Sequence, residues 1–166
     1  MTARKLAFFF VFAGGCSDVA GWSGTPDMWP GQDCMACHSA GGLASGRQWT
    51  VAGTVFPAPD APPDAGVANA EVLVTDANGT ALTLLTNSAG NFYTAETLQP
   101  PIHVEVQYGG KRMRMAEPPP ATGPGGTAVS CNACHVLPPP QVPPVANFLP
   151  APGRIFVPIE SDGGSE

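Results

Sequence analysis

Twenty prolines and twenty glycines fall in clusters along this 166-residue chain, and the clusters fix where regular structure can form. Proline lacks a backbone donor and locks φ, so it is excluded from helix interiors and central strands. Pro57 to Gly66 (Pro-Ala-Pro-Asp-Ala-Pro-Pro-Asp-Ala-Gly) and Pro118 to Gly126 therefore read as stiff loops without apolar periodicity. Pro138-Pro139-Pro140 and Pro143-Pro144 open a tail to Glu166 that is expected to be extended. Residues 17–33 are small, polar and turn-rich, a tether.

Between these breaks the chain alternates with period two. The runs 50–56, 70–75, 81–86, 91–94, 102–108 and 111–115 are rich in β-branched and aromatic residues. Asp76-Ala77-Asn78-Gly79, Asn87-Ser88-Ala89-Gly90 and Gly109-Gly110 supply the turn chemistry of hairpins. No segment carries a helical stripe. The pattern predicts a mainly β fold, a small antiparallel β-sandwich.

Within residues 51–115 three stretches stand together. They are Gly53-Thr54-Val55, then Val67 to Gly79 (Val-Ala-Asn-Ala-Glu-Val-Leu-Val-Thr-Asp-Ala-Asn-Gly), then Thr86-Asn87-Ser88-Ala89-Gly90-Asn91-Phe92. Their order resembles the carboxypeptidase regulatory-like domain. That resemblance implies a transthyretin-like, non-catalytic sandwich of a kind common in exported bacterial proteins. It rests on turn and core positions, so it speaks to fold and not to activity.

Two Cys-x-x-Cys-His motifs bracket this region: Cys34-Met35-Ala36-Cys37-His38 and Cys131-Asn132-Ala133-Cys134-His135. The spacing is that of c-type haem attachment, in which two thiols bond the porphyrin vinyl groups and the adjacent imidazole binds iron. Two copies with no further cysteine except Cys16 predict two covalent haems, on Cys34 and Cys37 and on Cys131 and Cys134. His38 and His135 are the expected proximal ligands. The same residues also permit a four-cysteine zinc site, or Cys34–Cys37 and Cys131–Cys134 disulfides. Distal candidates are His103, which alternates with Ile102, Val104 and Val106, and Met113 or Met115, which share one strand face upstream of the second motif. Met28 in the tether is a further soft ligand. With three histidines in the chain, at most one iron is bis-histidine, so unequal potentials are expected. Trp22, Trp29 and Trp49 bracket the first motif as candidate cover for a porphyrin or as core. Lys111, Arg112 and Arg114 form the basic cluster, either facing an anion or lying along a solvated strand edge.

The N-terminus begins with Arg4 and Lys5, a short apolar run over 6–12, and Ala13-Gly14-Gly15 before Cys16. The run is too short to span a bilayer and reads as a secretory signal. The small residues before Cys16 resemble a bacterial lipobox, which would make Cys16 the lipidated first residue; an ordinary signal cleaved nearby is the alternative. Without Arg4 and Lys5, five basic residues face thirteen acidic ones, a net charge of −8. Such a surface disfavours nucleic acid.

The organisation expected is a signal over 1–15, a lipidated tether over 16–33, haem segments over 34–49 and 117–137 around a sandwich over 50–116, and the tail over 138–166. The function expected is electron transfer by an extracytoplasmic, lipid-anchored dihaem cytochrome of the bacterial envelope. Its partners would be redox proteins and further copies of the chain. The competing expectation is a non-redox surface module stapled by zinc or disulfides. A dihaem peroxidase would need an acid/base group that the sequence does not offer, so no enzymatic activity is expected.

Overall fold

Two β-sheets face each other across one apolar core in the computed structural model, which describes residues 25–119, 128–138, 151 and 153–158. The signal segment, Cys16, Trp22 and most of the proline-rich tail lie outside the described residues. Six strands follow the expected runs to within a residue: β1 (Val51–Phe56), β2 (Glu71–Thr75), β3 (Ala81–Leu85), β4 (Asn91–Thr94), β5 (His103–Tyr108) and β6 (Lys111–Arg114). The second sheet runs β3-β2-β5-β6, antiparallel throughout. Val72, Val74, Val104 and Val106 point inward from it and meet Val51, Val55, Phe92 and Val129 of the first sheet. Burying each such side chain contributes about 1.5–3 kcal/mol.

The first sheet departs from the antiparallel expectation. β1 pairs with β4 antiparallel, but its other edge carries two short parallel strands, β7 (Val129–Ser130) and β8 (Ile155–Phe156). A parallel neighbour needs a long return connection, and the proline-rich stretches supply it where a hairpin cannot form. Residues 155–156 of the tail are thus fastened to the domain.

Every residue of β1 is buried, which shows that both faces of this strand are covered. Val51, Gly53 and Val55 face the core, where a Cβ on Gly53 would stand 2.7 Å from Phe92 Cζ and 2.9 Å from Cys131 Cβ. Ala52, Thr54 and Phe56 face outward, and the chain segments around the two motifs cover them. Each motif forms one helical turn rather than an irregular loop: α1 (Met35–His38) and α2 (Cys131–Cys134). No described helix is long and apolar enough to cross a membrane.

Candidate functional site

Strand register sets out the site in tiers along the outer face of the first sheet, because residues paired across strands project to the same side. The first tier pairs Ala52 with Tyr93. Trp49 stacks on Tyr93 with ring centroids 4.3 Å apart, and His38 stacks on Trp49 at 3.5 Å. His38 is 4 % exposed, and its Nδ1 lies 2.7 Å from the Arg47 carbonyl oxygen. A carbonyl can only accept, so Nδ1 is the donor and Nε2 is the ring nitrogen left open to a metal.

The second tier is a buried polar network around Asn132, the residue after Cys131. Asn132 Oδ1 accepts from the Thr54 backbone N–H at 3.0 Å, and Nδ2 donates to Thr54 Oγ1 and to the Gln32 carbonyl, both at 2.9 Å. Thr54 Oγ1 in turn donates to Asn91 Oδ1 at 2.8 Å and accepts from Gly31 N at 2.9 Å. Asn91 Nδ2 donates to the Met28 carbonyl. Asp33 adds a second link, accepting from Ser130 Oγ at 2.5 Å and from Met35 N at 3.0 Å. The two motifs, about a hundred residues apart in sequence, are therefore joined side by side, with Cys34 Sγ 3.9 Å from Asn132 Nδ2.

The third tier is Phe56 with Arg154 above it, the guanidinium 4.2 Å from the ring centroid. The preceding Gly153 carbonyl accepts from His135 Nδ1 at 2.9 Å. His135 thus has the same donor nitrogen as His38, again with Nε2 left open. Burial lowers its pKa against the opposing effect of the Gly153 hydrogen bond, which favours the neutral ring that a metal ligand must be.

The cysteines differ in state. Cys34, Cys131 and Cys134 are free thiols, so the Cys34–Cys37 and Cys131–Cys134 disulfides of the competing expectation are not formed. Cys131 instead turns into the core beside Gly53. Burial, then its neighbours Cys34 and Cys134, pushes its pKa up to about 12. Burial and the Asp33 charge push Cys34 to about 11. Cys37 is disulfide-bonded. Among the described residues no three His, Cys, Asp or Glu side chains form a group that could hold a metal ion.

The distal candidates belong to the second sheet. His103 pairs with Thr75 and shares the outer face of β5 with Glu105 and Gln107, so it projects away from the sheet that carries both motifs. Met113 pairs with Val106, and Met115 N donates to the Val104 carbonyl, which places both methionines on the core-facing side. Because β3 packs beside β4, the sheet orders put β6 on the same edge as β7, the edge from which the second motif departs. Met28 is half-buried and engaged through its carbonyl. Arg112 forms a long ion pair with Glu105 at 3.9 Å on the outer face of the second sheet, remote from the motifs.

Two residues at the centre of the site, Asn132 and Arg154, were not marked as such by sequence reasoning. Asn132 occupies a variable position of the motif, and Arg154 is a single cation in a proline-rich tail. The one available signal was the alternation Val129-Ser130-Cys131-Asn132, which puts Ser130 and Asn132 on one face.

Comparison with family models, curated proteins and solved structures yields no match.

Proposed function

We propose that this protein is a dihaem c-type cytochrome that transfers electrons outside the cytoplasm. The observation that carries the reading is the shared state of His38 and His135. Each donates Nδ1–H to a backbone carbonyl and keeps Nε2 free to bind a metal, the outer-contact pattern that fixes a ligating histidine and raises its basicity. The two motifs lie in different sequence contexts and reach this arrangement through unrelated acceptors, Arg47 and Gly153.

The surroundings fit a large apolar group. Among the exposed large hydrophobic residues, Trp29, Leu43, Tyr93 and Leu137 all lie in or beside the motif segments. A porphyrin at each motif would cover those beside it. When bound, haem supplies a reversible one-electron couple; the chain supplies orientation, axial nitrogen and exclusion of water. Cys34 and Cys37 would hold the first haem with His38 on its iron, and Cys131 and Cys134 the second with His135. Met113 and Met115 remain the distal candidates that share an edge with the second motif, and the signal at 1–15 with Cys16 remains the proposed route to a lipid-anchored envelope location. Since Cys131 is closed into the core, its sulfur would be bonded before the sandwich shuts around it.

A second reading has one observation in its favour. The Cys37 disulfide and a thioether are mutually exclusive uses of one sulfur, so a non-redox module stapled through Cys37 is the competitor. A visible spectrum of protein made with haem-maturation machinery separates them. The expected result is sharp α and β bands on reduction, retained after denaturation. A colourless product, with Cys37 still oxidised, would favour the stapled module.

A further inference from the structure

The group the proposed chemistry leaves unused is Arg154. It is 8 % exposed, and its Nε and Nη1 atoms are buried without a hydrogen-bond partner. An unpaired charge in such a place is strongly unfavourable, and Arg cannot escape by losing its proton. Its contact with Phe56 satisfies the face of the guanidinium but none of its N–H donors. No carboxylate among the described residues pairs with it: Asp33 is taken by Met35 and Ser130, and Asp27 by Ser88.

Its place is as informative as its burial. The Arg154 amide donates to the Pro59 carbonyl, and the neighbouring Gly153 carbonyl holds His135. On the other side lies Gly31, three residues before Cys34, with φ of +79°. A Cβ on Gly31 would stand 2.0 Å from Arg154 Nη1 and 3.2 Å from Phe56 Cζ. A side chain there is thus barred twice, by backbone conformation and by the guanidinium. The chain keeps a cation with unfilled donors at the junction of its two motifs.

We infer that Arg154 binds a carboxylate, a propionate of the haem carried by His135. The inference rests on the cytochrome reading above and deepens it. A guanidinium matches a carboxylate in charge and in planar fork geometry, and haem brings carboxylates to this position along with its iron. A fixed positive charge beside the haem favours the ferrous state, so it raises that haem's reduction potential.

The test uses the haem-loaded full chain. Intact mass first counts the haems, and redox titration then compares wild type with Arg154→Gln and Arg154→Lys. One of the two potentials should fall in Arg154→Gln and stay nearer wild type in Arg154→Lys, while the other moves less. Resonance Raman should find one propionate bending mode at its hydrogen-bonded position in wild type and shifted in Arg154→Gln, a change that loosened packing alone would not give. If Arg154→Gln fails to fold, the wild-type Raman mode decides by itself: propionates all in the free position overturn the assignment. Two bound haems with both potentials unchanged in Arg154→Gln sink the Arg154 assignment alone. A chain that takes up no haem sinks both this assignment and the cytochrome reading.

Discussion

At the scale of single residues, Asn132 ties the second motif both to β1, through Thr54, and to the segment that leads into the first motif, through Gln32. It is 2 % exposed. Asn132→Ala would leave the Thr54 N–H and the Gln32 carbonyl without these partners. Losing satisfied buried partners costs about 1–3 kcal/mol, so the urea midpoint should fall by a corresponding amount with the slope unchanged. A midpoint equal to wild type would mean that the two motif segments are held together by something else. Sequence alone did not reveal this residue, because the haem motif leaves its second position open and the partner acceptors are backbone groups. The same holds for His38 and His135: the imidazoles were legible, but the carbonyls of Arg47 and Gly153 that set their tautomers carry no residue signature.

Among elements, the β2–β3 turn is organised by one carboxylate. Asp76 closes the β2–β3 turn by accepting from the Asn78 and Thr80 N–H groups at 2.9 and 2.8 Å, and its other oxygen accepts from Gln99 N at 3.0 Å. These N–H donors, Gln99 foremost, hold the carboxyl below the usual carboxylate range. The folded pKa is therefore lower than the unfolded value of about 4. Asp76 contributes stability in full above that value and loses it as pH falls through the folded pKa. Asp76→Asn should lower stability at neutral pH and flatten the fall in stability below about pH 4; denaturant unfolding across that range checks both. An unchanged acid slope would exclude Asp76 as a contributor. This level of the structure was the most legible, since alternation marks a half-buried strand and Asp, Asn and Gly mark its turns. β7 and β8 escaped notice because two-residue strands have no period to detect, and their parallel pairing depends on where the proline-rich connections return.

For the molecule as a whole, the layered outer face of β1 explains how one small sandwich could serve two sites. The core side of the strand holds the sheets together, and the outer side carries His38 with Trp49, then Asn132, then Arg154. Sequence order placed the motifs at either end of the sandwich region, and the parallel return of β7 brings them onto one face. The distal ligands were less legible. His103 lies on the polar side of its strand with Glu105 and Gln107, as its alternation with Ile102, Val104 and Val106 implies, but which sheet that strand joins depends on long-range pairing. The central claim is that each motif independently holds one haem, and intact mass spectrometry of protein matured with haem tests it most directly. Wild type should carry two added haems, and the Cys34→Ala/Cys37→Ala and Cys131→Ala/Cys134→Ala variants one each. A wild-type chain with no added mass would contradict the account.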